Sequence, residues 1–253
     1  MGSYKEYFGE ALGTLILVFI GCGSVSLAVI FGVLGSLWEV AIVFGAGVTT
    51  AILSVKNFCP AHLNPAVSIA MYMSGALSLR KLPIFILSQF VGAFIGGMLL
   101  FLVISPSVST FEKDNNIVRG EAGSYHSAQI FGEYFPNPGY ENEISVSVGE
   151  AIFVEALGTF LLVFVIFILS GVKALTAFNP FLIGLTVTIL ICILAPYTQG
   201  GFNPARDFGP RMVAYISGWG DAAFPTVSFS FLTVYIGGPI IGGVLASYIQ
   251  KWR

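Results

Sequence analysis

The chain is 253 residues long, 56% of them hydrophobic and 9% charged, with a formal net charge of −2. Soluble domains carry roughly 25% charged residues, so this composition excludes an ordinary soluble fold and requires lipid to cover the apolar excess. The near-neutral charge and the lack of a basic cluster also speak against nucleic acid as a partner.

Taken in chain order, the first apolar segment covers 8–32 and follows Tyr4-Lys5-Glu6. It is too long for the short apolar core of a cleaved signal sequence and is expected to remain as a span. Further segments of spanning length cover 38–55, 82–104, 149–171, 176–196 and 224–249, which makes six predicted membrane helices. Between the second and third lies 63–74, and between the fifth and sixth lies 202–216. Both are apolar but shorter than the roughly 20 residues needed to cross, so each is expected to be re-entrant. The stretch 105–147 is polar, with Glu112, Lys113, Asp114, Glu121, Glu133, Glu141 and Glu143 and the turn sequence Pro136-Asn137-Pro138-Gly139. It reads as an outer surface loop joining a first half, 1–104, to a second half, 148–253, within one domain spanning 1–253.

Basic residues in the short loops set the expected orientation. With the N-terminus inside, Lys5, Arg80, Lys81, Lys173, Lys251 and Arg253 face the cytoplasm, while Lys113 and Arg119 lie outside. Both termini are therefore expected in the cytoplasm of a multi-pass protein of the cell membrane. The three cysteines, Cys22, Cys59 and Cys192, are odd in number and far apart, so neither a disulfide framework nor a metal site is indicated. No cofactor is implied.

The two halves repeat. Glu10-Ala11-Leu12-Gly13-Thr14 recurs as Glu155-Ala156-Leu157-Gly158-Thr159, and Leu17-Val18-Phe19 recurs as Leu162-Val163-Phe164. Gly92, Ile95, Gly96 and Gly97 likewise match Gly238, Ile241, Gly242 and Gly243. Three spans separate each pair, so the second half enters the membrane from the opposite face, an inverted repeat that places a solute path between the halves. The glycines permit close helix approach.

Each re-entrant segment opens with the same tripeptide, Asn64-Pro65-Ala66 and Asn203-Pro204-Ala205. Asn is a good N-cap and Pro suits the first helical position, so each marks the start of a short helix. In an inverted repeat the two starts meet near the midplane. Their positive dipole ends repel cations, and the two amides donate to a passing oxygen.

With Ala61-His62-Leu63-Asn64-Pro65-Ala66-Val67 and Asn203-Pro204-Ala205-Arg206-Asp207-Phe208-Gly209-Pro210, the chain resembles the major intrinsic proteins, the aquaporins and glycerol facilitators. The resemblance covers essentially the whole sequence. It implies an all-α membrane protein with six transmembrane helices and two re-entrant half-helices. It also implies a homotetramer in lipid and a passive channel, not an enzyme, that passes glycerol and water and excludes ions and protons. Arg206 looks like the family's constriction arginine, and an arginine at membrane depth is costly enough to favour a pore-lining role. Glu10 and Glu155 correspond to buried glutamates holding the re-entrant loops, with Pro65, Ala66, Pro204, Ala205 and Asp207 as further support. His62 resembles the histidine ahead of the first Asn; His126, the one other histidine, sits in the outer loop, so a metal role is not implied. The carbonyls of Ala61, His62, Leu63, Gly200, Gly201 and Phe202 would form an acceptor ladder towards the Asn pair.

Asp207, Arg211, Phe111-Glu112-Lys113 and Ile117-Val118-Arg119-Gly120 resemble glycerol facilitators, whereas Tyr235 resembles a water-channel residue. Ungapped spacing from each Asn puts Phe44, Ile191 and Gly200 around Arg206, and a two-residue offset would bring Phe202 to the place of Gly200. Cys59 lies close enough to the expected inner vestibule for a thiol reagent to block conduction. The alternatives are a water-selective pore, a coupled transporter, which would need more ionisable groups along its path than Arg206 and the two glutamates, and a structural protein with a closed pore.

Overall fold

The computed structural model describes residues 2–225 and 229–250. Lys251 and Arg253, two of the orientation residues, lie outside the described residues, as does part of the predicted start of the sixth span. Six of the described helices are long and apolar enough to cross a membrane. They are α1 (Gly2–Val29), α2 (Leu37–Val55), α4 (Leu82–Asp114), α6 (Val148–Gly171), α7 (Asn179–Thr198) and α9 (Gly238–Gln250), the last preceded directly by a π-helical stretch, Leu232–Gly237. Two short helices, α3 (Pro65–Met73) and α8 (Pro204–Ala214), occupy the re-entrant positions, and a single turn, α5 (Tyr125–Ala128), lies in the long connection.

The starts of the helices follow from their caps. Ser36 with Glu39 and Ser147 with Glu150 form capping boxes at α2 and α6, each satisfying backbone donors that a helix start leaves free. The α1 and α6 repeats then pack on α4 and α9 at glycines. A Cβ on Gly92 would collide with the Ala11 carbonyl oxygen, and one on Gly242 with the Ala156 carbonyl oxygen. Backbones meet where side chains are absent. The contact partner of Ala156 is thus Gly242, one turn beyond Gly238, which the sequence offset pairs with Gly92. The final span differs from α4 in carrying the π-helical stretch before it. Helices α2 and α7 cross at Gly45 and Gly184, and Thr188 Oγ1 donates to the Ala41 carbonyl at 3.1 Å.

The halves interlock through their short helices. Gly243 of α9 approaches the Ala66 carbonyl of α3, with a Cβ there 2.9 Å from it, while Gly97 of α4 faces Pro210 of α8 at 2.6 Å. Each short helix therefore rests on the last span of the opposite half. Gly242→Leu is expected to separate α6 from α9 and cost about 1–3 kcal/mol by overpacking. The readout is a lower thermal midpoint for the detergent-solubilised protein, and an unchanged midpoint would contradict the packing described.

The connection differs most from expectation. Helix α4 continues through Pro106 to Asp114, ten residues into the expected loop, because Ile104, Val108 and Glu112, spaced by four, bury one stripe. Beyond it Ser127, Ala128, Ile130, Phe131, Glu133 and Tyr134 are buried. Part of this segment folds into the protein and does not lie on its surface.

Candidate functional site

The starts of α3 and α8 abut and exchange hydrogen bonds. Asn64 Nδ2 donates to the Phe202 carbonyl and Asn203 Nδ2 to the Leu63 carbonyl, both at 2.8 Å. At the same time Asn64 Oδ1 accepts from Ala66 N at 2.9 Å, and Asn203 Oδ1 accepts from Ala205 N at 3.1 Å and Arg206 N at 3.3 Å. The oxygens are committed to their helices, so each amide is held with its nitrogen forward and one N–H left over. Pro65, Ala66, Pro204 and Ala205 are buried at these helix starts.

Glu10 and Glu155, both fully buried, fix the loops that lead to the Asn pair. Glu10 accepts from His62 N at 2.9 Å, Leu63 N at 2.8 Å and Gln89 Nε2 at 2.8 Å. Glu155 accepts from Thr198 Oγ1 at 2.7 Å, Gly201 N at 2.9 Å and Phe202 N at 2.6 Å. In a trans peptide the C=O points opposite to the N–H. The carbonyls of Ala61, His62, Gly200 and Gly201 therefore point away from the carboxylates. Positive φ at Ala61, Leu63, Gly200 and Phe202 holds this unusual course, which only Gly adopts without cost. The Leu63 and Phe202 carbonyls each accept from the opposite Asn and keep a second lone pair.

These loops line a cavity of ≈ 900 Å³ that runs from Lys56, Asn57 and Lys173 at one mouth past the Asn pair to Phe44, Gly200 and Arg206. The Arg206 guanidinium carbon lies 5.0 Å from the centre of the Phe44 ring. A Cβ on Gly200 would stand 3.6 Å from Ile191, so Phe44 lies beside Arg206 and Ile191 beside Gly200, with Phe44, Gly200 and Arg206 lining the cavity. The Phe202 ring packs against Gly158 as Leu63 packs against Gly13, matching positions in the repeat. The Phe202 carbonyl accepts from Asn64, and the ring lies against Gly158 of α6 and beside Gly200 at the cavity. His62 Nδ1 is 3.1 Å from Ser68 Oγ and its ring packs at 5.4 Å from Phe85.

What the sequence reading missed is the partner of Arg206. Glu133, in the long connection and 1% exposed, forms an ion pair with Arg206 Nη1. Asp207 and Arg211, both fully buried, hold it there. Glu133 N donates to Asp207 Oδ1 at 2.8 Å, and Arg211 Nη2 donates to the Glu133 carbonyl at 2.6 Å and to Asp207 Oδ1 at 2.5 Å. Arg211 Nη1 reaches the Ala223 carbonyl, and rings of Tyr134, Phe224 and Tyr235 surround its guanidinium. A Cβ on Gly132 would come within 2.7 Å of that guanidinium, and this glycine is the trace the arrangement leaves in the sequence. The ionisable groups near the path thus exceed Arg206 and two glutamates, but they are paired with one another and do not form a chain of free carriers.

Cys59 is among the residues lining the cavity, with its Sγ turned to α1, 2.7 Å from where a Gly9 Cβ would stand. Burial, and after it the Glu10 carboxylate, push the thiol up to about 12. The thiolate is the reactive form, so maleimide labelling at pH 7 is expected to run roughly two to three orders of magnitude slower than at an exposed cysteine. Labelling at the exposed rate, followed by mass spectrometry, would contradict this orientation.

A sequence model described as Major intrinsic protein matches residues 1–250. The chain is 37% identical over 249 residues to the Glycerol uptake facilitator protein of Pseudomonas aeruginosa, covering 96% of this chain and 86% of that one. It is 34% identical over 251 residues to the protein of the same name from Escherichia coli strain K12, covering 97% and 86%. Aquaglyceroporin-2 of Rhizophagus irregularis is 35% identical over 250 residues, covering 97% and 76%. The X-ray structure of the aquaglyceroporin from Plasmodium falciparum shares the fold, with a TM-score of 0.81, 23% identity and coverage of 98% and 96%.

Proposed function

This chain belongs to the major intrinsic protein family, and on that premise we propose that it is a passive membrane channel for glycerol and similar small polyols together with water. The observation that carries the reading is the crossed Asn64–Asn203 pair, whose oxygens are bound within the protein and whose spare N–H groups are left for a solute. A hydroxylated solute exchanges its hydration for donors from Arg206, Asn64 and Asn203 and for acceptors at the Ala61, His62, Gly200 and Gly201 carbonyls. Phe44 and Ile191 contact its carbon side. Gly200 adds no side chain of its own beside the Phe202 ring, which would stand 3.2 Å from a Cβ there, and the space this leaves for a three-carbon backbone supports glycerol over a water-only path. The pore runs downhill without energy input.

The same reading puts both termini in the cytoplasm, the Arg206 mouth outside, and one pore in each subunit of a homotetramer. Wild-type protein in liposomes is expected to re-swell in glycerol far faster than empty vesicles under stopped-flow light scattering. Fast water shrinkage without glycerol re-swelling would instead identify a water-selective pore. Phe44→Ala removes the ring opposite Arg206 and is expected to admit five-carbon polyols that the wild type retards, while glycerol flux persists. Unchanged discrimination between glycerol and ribitol would remove Phe44 from the filter.

A further inference from the structure

The charges met along the cavity are of one sign. Lys56 and Lys173 line one mouth and Arg206 the other end, with no Asp or Glu lining it among the described residues. Between them the starts of α3 and α8 meet, each with the partial positive charge of a helix N-terminus. The carboxylates of Glu10 and Glu155 are turned to loop amides, and Asp207 is matched by Arg211. This arrangement repels cations but does nothing to repel anions. A buried guanidinium in a narrow apolar constriction is itself an anion site, since its N–H groups bond anions more strongly than neutral oxygens. The exception is Glu133, whose carboxylate sits on Arg206 Nη1.

We propose that Glu133 is the residue that excludes small monovalent anions such as halide, nitrate and formate, by cancelling the charge of Arg206 while leaving guanidinium N–H groups for neutral solutes. The proposal rests on the channel reading above. Glu133 acts through Arg206 and is a positioning residue. Its place does not depend on its side chain, because its N–H is held by Asp207 and its carbonyl by Arg211. Glu133→Gln therefore removes the charge, keeps an oxygen for Nη1 and leaves the segment anchored. Glu133→Ser is a second neutral variant with no fit to satisfy against Arg206, and Glu133→Asp keeps the charge.

The test uses proteoliposomes at pH 8 with an iodide-quenched dye inside and valinomycin with potassium to dissipate the membrane potential, and glycerol re-swelling is measured on the same vesicles. Removing one unit charge beside the path is expected to raise iodide influx roughly tenfold or more in Glu133→Gln and Glu133→Ser, or to make their glycerol flux slow as iodide is added. Glu133→Asp should behave as wild type in both respects, and Glu133→Gln combined with Arg206→Gln should return iodide influx to the wild-type level. The proposal is overturned if the neutral variants carry glycerol and neither pass iodide nor are slowed by it, or if Glu133→Asp responds as they do. Absence of both glycerol and water flux in the wild type would sink the channel reading itself, a result distinct from either.

Discussion

Glu155→Leu is expected to abolish glycerol flux and to lower the recovery of folded protein sharply. The carboxylate accepts from Thr198 Oγ1, Gly201 N and Phe202 N, in a fully buried position where no water replaces it. Leaving each donor unsatisfied costs about 1–3 kcal/mol, so the three together cost about 3–9 kcal/mol, against a typical total stability of about 5–15 kcal/mol. The same peptides hold the Gly200 and Gly201 carbonyls away from Glu155, and once released they turn to other partners and close the path. Glu155→Gln keeps one accepting oxygen but opposes an NH₂ to a backbone N–H, so an intermediate flux is expected. Glu10→Leu should behave alike through His62 N, Leu63 N and Gln89 Nε2. Flux per folded channel, together with hydrogen exchange at the Gly201 and Phe202 amides, checks this. Wild-type flux in Glu155→Leu would mean that the loop holds its course unaided.

The parts of this site legible in the sequence are those the inverted repeat writes twice. Glu10 and Glu155, the paired Asn-Pro-Ala tripeptides and the helix glycines each have a counterpart 139 to 146 residues away, and a local rule such as capping then assigns each a geometry. Glu133 has no counterpart. It stands in a polar stretch among ten other acidic and amide residues, and its contact with Arg206 is set by tertiary folding over 73 positions, which no periodicity records. The length of α4 was hidden for a different reason. Pro106 and the polar residues after it read as loop, but the buried stripe of Ile104, Val108 and Glu112 overrode local propensity. Phe202 could not be placed from spacing alone. The cleft beside Gly158 that receives its ring exists only once α6 and the loop are side by side, although the matching pair Leu63 and Gly13 is visible in the repeat.

Arg211→Met is expected to destabilise the protein by about 3–5 kcal/mol, because it leaves the Asp207 carboxylate charged, buried and without its cation. The structure gives Arg211 four tasks at once: two bonds to Asp207 and one each to the carbonyls of Glu133 and Ala223. Asp207→Leu strands Arg211 in turn, although the rings of Tyr134, Phe224 and Tyr235 around it soften that loss. Replacing both residues removes the charges together, so the double variant Asp207→Leu with Arg211→Met is expected to be more stable than Arg211→Met alone. The non-additivity should reach about 0.5–3 kcal/mol, as for residues in direct contact. Recovery stops short of wild type because Glu133 N and the Glu133 and Ala223 carbonyls still lack their partners. Thermal midpoints of the four proteins in one detergent give this ordering directly, and simple additivity would show that Asp207 and Arg211 are not coupled. Since Glu133 is anchored at both backbone ends by this pair, a loosened Arg211→Met should also let Glu133 leave Arg206. Its iodide influx is then expected to rise towards that of Glu133→Gln although residue 133 is unchanged, which separates the anchoring of the carboxylate from its charge.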